Sequence, residues 1–512
     1  MPPTDSMFLL GESRDQPMHV GGLILLRPAP GTNAPDLAQM FAGNLADATD
    51  TEFEGTGSDA TAVDTFWRKR AVRSLTTLGQ WAWEDDRNFD LSYHVRRNAL
   101  PRPGGLDELW ELVSRLHGTL LDRRRPLWEV HLIEGLADGR LAVYTKIHHA
   151  LADGVGAMKL LRRALSPDPD RTGMPAPWAP ISAPRRPHGA GTTLDLPEAA
   201  VQAVRTVATD AVGVLPALAG TVERALRGKG GSLSLAAPNT IINVPVTGTR
   251  RFAARSWPLD RLRAVAAAAG STVNDVVLAM SSGALRAFLL DHDALPDRSL
   301  VAMVPVCLRP DKDCSGNEVG VLMCDLGTDV DSPAERLATI SASMTRGKES
   351  MRGMSSLSRL ATSALGVAPL AVGILTRNRA LPRPPFNVIV SNVPGSPDPL
   401  YWNGARVEAI HPLSVPVDGQ ALNITCTSTD DAIAFGLTSC SRILPHLQPL
   451  LDHLDAALVA LEDAVGVSPA LKTTEITETT EVTETAAITD RQTSPEVTDS
   501  TRVPAEATAH AV

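Results

Sequence analysis

Residues 139–165 read GRLAVYTKIHHALADGVGAMKLLRRAL, and a strand pattern gives way to a helix pattern within them. From Gly139 to Ile147 the side chains alternate and several are β-branched or aromatic, which predicts a strand. From Gly154 to Leu165, the residues Val155, Met158, Leu161 and Leu165 recur at helical spacing. Asp153 stands where the N-cap of that helix belongs. His148, His149, Asp153 and Gly154 therefore fall at a strand-to-helix junction. Such junctions project side chains into a cleft while the flanking elements hold them still. An imidazole there, with an ordinary pKa of about 6.5, can accept a proton near neutrality. The carboxylate can fix the loop or the ring, and Gly154 lets the helix start close to the strand. The plainer reading is a structural histidine at a strand end. A metal site would need a third ligand nearby, and this stretch supplies none.

Further along, the same mixture recurs. Arg261–Ala269 and Val273–Leu290 read as helices; Ser299–Val306, Asn387–Ser391, Ala421–Thr427 and Ala432–Thr438 read as strands. Between the two mixed regions, Ser166–Pro197 holds eight prolines, too dense for helix or central strand, so it is an extended connector. Glu198–Arg227 is Ala/Val-rich with helical spacing, bent at Pro216, and the glycines from Gly228 to Gly231 break the chain again. The expected organisation is an α/β region over 1–165 carrying the histidine pair, a connector and linking helix over 166–238, and a second α/β region over 239–466. A Thr/Glu-rich tail over 467–512 has few large apolar groups and is expected to be disordered. Asn44–Asp64 reads as an acidic surface loop.

Composition narrows the function classes. At 512 residues the chain can bury a sizeable core, and with only 4% aromatic residues that core must rest on Ala, Val and Leu. Basic residues number 48 against 58 acids, a net charge of −10, half of it carried between Lys472 and Val512 by eight acids and three bases. There is no basic excess, so no nucleic-acid partner is expected. Five cysteines (Cys307, Cys314, Cys324, Cys426, Cys440) form no C-x-x-C pair. They read as small buried hydrophobes in a reducing, cytoplasmic setting. Met1–Leu10 carries Asp5 and no basic residue, unlike a signal peptide. The most apolar run, Leu360–Leu375, is broken by Gly366, Pro369 and Gly373 and falls short of the roughly 20 residues that span a bilayer. Met351–Leu375 suits either a pair of buried helices or a face resting on a membrane or lipid droplet.

The stretch HHALADG, residues 148–154, matches the HHxxxDG motif of the CoA-dependent acyltransferase superfamily. Around it lie PPTDSMFLLGES (2–13), PMHVGGL (17–23), NFDLSYHVRRNALPRPG (88–104) and DRRRPLWEVHLIEGL (122–136), which holds Pro126-Leu127-Trp128. Beyond the connector come STVNDVVLAMSSGALRAFL (271–289), with Asn274-Asp275, and FNVIVSNVPGSPDPLYWNGARV (386–407), with Asn392-Val-Pro394-Gly395. In this order the blocks resemble those of the bacterial wax ester synthase/acyl-CoA:diacylglycerol acyltransferases over about residues 1–465. Ser428-Thr429 replaces a Ser-Tyr usual in that family.

The resemblance implies an α/β fold of two chloramphenicol-acetyltransferase-like subdomains, mixed sheets flanked by helices, with the active site where they meet. It implies acyl-CoA as donor, diacylglycerol or a long-chain alcohol as acceptor, and neither metal nor further cofactor. His149 would be the general base of a direct transfer without a covalent intermediate, His148 would shape the acceptor side, and Asp153 would pair with an arginine. Asn274, with Gly154 on the substrate side, would donate to the oxyanion or pin the second half. As plain residues, Asn274 is equally an N-cap for its helix and Asp275 a favourable charge in the first turn. Pro126-Leu127-Trp128 is equally an apolar anchor before a strand, and Asn392-Val-Pro394-Gly395 a strand-ending turn lining an acyl tunnel. Two other readings share these residues: a superfamily member using another hydroxyl or a carrier-bound donor, and a non-catalytic lipid-binding protein.

Overall fold

In a computed structural model that describes residues 1, 3–41, 66–73, 81–152, 154–178, 237–307, 319–352 and 384–467, the strand of the quoted stretch runs Leu141–His148 and its helix Gly154–Arg163. Numbered in chain order, that strand is β6. It lies inside a six-stranded sheet with β1 (His19–Arg27), β4 (Val95–Ala99), β5 (Trp128–Glu134), β11 (Tyr401–Trp402) and β12 (Ala405–Leu413). The order is β11-β12-β1-β6-β5-β4, antiparallel except for β4 beside β5. A short hairpin, β2 (Lys69–Arg73) and β3 (Trp81–Asp85), stands apart.

The second sheet contains β7 (Arg250–Pro258), β8 (Val301–Cys307), β9 (Val319–Asp325), β10 (Val388–Val393), β13 (Leu422–Ser428) and β14 (Ala432–Cys440). Its order is β7-β14-β13-β10-β8-β9, with β10 parallel to both β13 and β8. The α/β architecture and its mixed sheets are those the sequence leads one to expect. Strands β11 and β12, however, come from beyond the connector and complete the first sheet. Where β12 lies against the second sheet the backbones nearly touch: a Cβ on Gly436 would fall 1.9 Å from the Pro412 carbonyl oxygen, so only glycine fits.

Alternation along β6 divides two cores. Ala142 and Tyr144 join Leu23, Leu25 and Phe252 in the larger one, while Val143 and Ile147 join Ile24, Trp128 and Trp402 in the smaller. The helix Val273–Asp291 runs through the larger core, packed on the helices Gln448–Val465 and Pro333–Arg352. At 19 residues and a mean hydropathy of 1.4 it is long and apolar enough to cross a membrane, yet 67% of it is buried in the protein. Being buried over most of its surface accounts for its composition. The apolar run Leu360–Leu375 lies outside the described residues, as do Asn44–Asp64, Glu198–Arg227, the tail over 468–512 and most of the proline-rich connector. Cys324, Cys426 and Cys440 are buried free thiols.

Candidate active site

Two neighbouring strands fix the histidine pair through its backbone. His148 N donates to the Leu127 carbonyl at 2.9 Å, and His149 N to the Met18 carbonyl at 2.8 Å. Leu127 belongs to Pro126-Leu127-Trp128 and Met18 to the PMHVGGL block, so both segments act as rails for the junction. All three residues of the former are buried. The Trp128 ring stacks on His94 at 4.5 Å, and its Nε1 donates to the Trp67 carbonyl at 2.7 Å.

The two imidazoles then part company. Val143, Thr145 and Ile147 of β6 point into a cavity of about 660 Å³, and His149, just past the strand end, lies on its wall, half-buried. The His149 ring stacks on Phe8 with centroids 4.0 Å apart and planes 17° from parallel. His148 is fully buried on the opposite face, away from the cavity lining. Its Nδ1 accepts from Ala150 N at 3.0 Å, which leaves the ring proton on Nε2. That nitrogen is 3.3 Å from Glu12 Oε1, within ionic contact though off the line of a good hydrogen bond.

Glu12 closes this rear contact. Its carboxylate accepts from Arg123 Nε at 2.7 Å and from Met18 N at 3.3 Å, and Arg123 also donates to the Leu9 carbonyl at 2.8 Å. Burial pushes the Glu12 carboxyl up, but the His148 ring and the Arg123 guanidinium outweigh it and hold it below its ordinary value. Deeper behind β6, the buried Lys146 ammonium is 3.1 Å from Glu129 and donates to the Leu116 and Thr119 carbonyls. Burial raises the Glu129 carboxyl; His131, Lys146 and Arg96 together bring it down to about 2. His117 accepts from the Tyr144 hydroxyl at Nδ1, 2.8 Å, and donates from Nε2 to the Ser414 carbonyl, 2.9 Å. Burial drives its pKa down to about 3, so it stays neutral.

Both sheets supply the cavity wall: Val20, Gly22 and Ile24 from β1, Ser391 and Val393 from β10, Asn423 and Thr425 from β13. Phe41 and Trp402, stacked at 3.6 Å, line it as well. Gly154 lies on the wall too. A Cβ there would meet Val393 Cγ2 at 3.8 Å, an ordinary contact, so the close approach expected of Gly154 is toward the second sheet and leaves room for a methyl. Asp153 falls outside the described residues.

Asn274 is not the N-cap. The helix begins at Val273, and Thr272 Oγ1 accepts from Asp275 N while Asp275 Oδ2 accepts from Thr272 N, a reciprocal capping box. Asp275 is thereby buried in the first turn, with Ser341 Oγ donating to it at 3.4 Å. Asn274 Oδ1 instead accepts from Asn392 Nδ2 at 3.5 Å, joining the Asn-Asp helix to the Asn-Val-Pro-Gly strand. Neither amide lines the cavity. Pro394 is exposed, and a Cβ on Gly395 would fall 1.5 Å from the Ser428 carbonyl oxygen. Phe8, Glu12, Arg123 and the Lys146–Glu129 pair were not among the residues singled out from sequence, because no local spacing ties them to the histidines.

Residues 1–277 match the wax ester synthase/diacylglycerol acyltransferase catalytic domain, and residues 315–462 match the C-terminal domain of the same family. The chain belongs to the wax ester synthase/diacylglycerol acyltransferase family. It is 48% identical over 471 residues to the "probable diacylglycerol O-acyltransferase tgs2" of Mycobacterium tuberculosis, covering 91% of this chain and 99% of the relative. The solved wax ester synthase/diacylglycerol acyltransferase of Marinobacter aquaeolei VT8 superposes with a TM-score of 0.68 at 40% identity, over 91% of this chain and all of that one. The first condensation domain of the calcium-dependent antibiotic synthetase shares the fold alone, at 18% identity and a TM-score of 0.54 over 91% of this chain and 95% of that one. Like its family, this protein is an acyltransferase.

Proposed function

We propose that this acyltransferase moves a long-chain acyl group from acyl-CoA to the free hydroxyl of diacylglycerol or of a long-chain alcohol, with His149 as general base. The observation that carries the reading is an imidazole, fixed by backbone bonds on both sides, on the wall of an apolar cavity built by both sheets. His149 takes the hydroxyl proton as the oxygen attacks the thioester carbonyl carbon. The tetrahedral oxyanion collapses, the C–S bond breaks, and His149 returns the proton to the leaving thiolate, giving ester and free CoA. Acid–base transfer of this kind contributes about 10²–10⁴-fold. Holding both substrates in place and stabilising the oxyanion contribute the rest. His148, turned away and bound to Glu12, acts as a positioning residue; Asn274, tied to Asn392 behind the wall, suits the role of a pin between the halves better than that of an oxyanion donor.

Alkyl substrates reach such a cavity from a lipid phase. Met7 and Leu10 on the helix Pro3–Gly11 are exposed at 39% and 52%, and Met7 also lines the cavity, which supports peripheral binding to a cytoplasmic membrane face or lipid droplet. The test is thiol release from palmitoyl-CoA by the purified protein, with and without dipalmitoylglycerol or hexadecanol. Acceptor-dependent release is expected. No release with these acceptors or a broader panel of alcohols would overturn the reading.

A further inference from the structure

Apart from Thr145, His149 and Ser414, the polar side chains of the cavity wall lie together on one stretch of the second sheet. There β10 and β13 run parallel, Ile389 beside Asn423 and Ser391 beside Thr425, and all four residues line the cavity. Asn423 is only 2% exposed and Thr425 6%. Thr425 Oγ1 donates to Asn423 Oδ1 at 2.7 Å, which leaves the Nδ2 amino group as the other end of the amide. Among the described residues Nδ2 has no acceptor. An amide N–H that faces the cavity without a protein acceptor is best satisfied by an acceptor oxygen on whatever fills this part of it.

The chemistry of this amide, a donor on the wall of the cavity that His149 also lines, suits one class of occupant. Val393, on the same face of β10, is 3.8 Å from where a Cβ would stand on Gly154, within the histidine motif. Residues two apart on a strand are about 7 Å apart, so the Ser391–Thr425 row lies about 7 Å and the Asn423 row about 13 Å along the wall from Val393. A diacylglycerol carries ester carbonyls one and two carbons from the carbon that bears its free hydroxyl. A long-chain alcohol has only methylenes there.

We propose that Asn423, oriented by Thr425 and flanked by Ser391, is a subsite that donates a hydrogen bond to an ester carbonyl of the acceptor and so favours glycerolipids over plain alkyl chains. The inference rests on the acyltransferase reading above. The amide carbonyls of the donor's pantetheine arm offer the same chemistry, and the experiment separates the two sources.

With palmitoyl-CoA as donor, kcat/KM is measured for 1,2-dipalmitoylglycerol and for its diether analogue, in which methylenes replace both ester carbonyls. The wild-type protein should favour the diester about tenfold, the scale of one buried hydrogen bond. In Asn423→Leu that preference should vanish, and in Thr425→Val, which keeps the side-chain volume but frees the amide, it should fall about threefold. A wild-type ratio near one, or a ratio unchanged in both variants, would overturn the proposal. So would an equal loss on both acceptors with a raised KM for palmitoyl-CoA, which would assign the amide to the donor. Turnover of hexadecanol but of neither glycerolipid would end this inference and leave the acyltransferase reading standing; turnover of no acceptor would end both.

Discussion

The two faces of β6 are built on opposite principles. The front, Val143, Thr145 and Ile147, is uncharged and mainly apolar and borders the cavity; the rear, Tyr144, Lys146 and His148, is packed with charges and hydrogen bonds. Under the proposed reaction, the difference lets one strand serve two needs. Alkyl chains require a wall that makes no demands of its own, whereas an imidazole that must hold its place requires a rigid support. The front gives the first and the rear the second, and the period-two geometry of a strand keeps them apart.

Breaking the rear should therefore harm the fold before it harms the cavity. Lys146→Met leaves Glu129 buried with its main counter-charge gone, and losing one partner of a buried pair costs about 3–5 kcal/mol. Urea denaturation should show that loss, and Lys146→Met combined with Glu129→Leu should recover part of it. An additive double variant would mean that the pair is not coupled.

A pH titration sharpens the same contrast. His117 is held neutral in the folded state, at about 3, while in the unfolded chain it titrates near its ordinary 6.5. The unfolded state therefore binds more protons between those values, and stability falls as pH drops from 6.5 toward 3, at most about 1.4 kcal/mol per pH unit for each such histidine. His411, also driven by burial down to about 3, adds in the same direction. Below pH 4.5 Glu129, held near 2, adds a further loss. Denaturation midpoints of wild type and His117→Asn across this range should show a shallower slope in the variant; parallel slopes would contradict the assignment.

A smaller effect should follow where rear meets front. Glu12→Gln keeps the shape of the side chain but removes the charge facing His148 and Arg123. Acceptor-dependent turnover is expected to fall about tenfold, with KM for palmitoyl-CoA unchanged, as for a hydrogen bond to a charged group that acts through geometry. A shift in KM alone would move Glu12 from positioning to binding.

Much of this was legible in the chain. The junction at His148-His149, the helix from Val273 and the strands over Asn387–Ser391 and Ala432–Thr438 carry their own periodicity, and the structure places elements there. β1 carries a weaker signal because Gly21 and Gly22 interrupt it. A Cβ on Gly21 would come within 2.8 Å of the Tyr144 ring, so glycine there serves close packing rather than a turn. The crossing of β12 to the first sheet, and the reach of Glu12 to His148, depend on residues distant in sequence, and no local pattern encodes either. Thr272 and Asn274 illustrate a finer limit. Both are cap formers, and only the reciprocal bonds between Thr272 and Asp275 decide where the helix starts.

The account stands or falls on the division of labour between the two adjacent imidazoles. Acceptor-dependent CoA release and thermal denaturation, measured side by side for His149→Gln and His148→Gln, test it most directly. His149→Gln should lose at least about 100-fold in turnover with an unchanged melting transition, whereas His148→Gln should melt earlier, because its buried contacts to Ala150 and Glu12 are disturbed. Turnover that survives in His149→Gln, beside an intact but inactive His148→Gln, would place the base on the wrong face of the strand and contradict the mechanism.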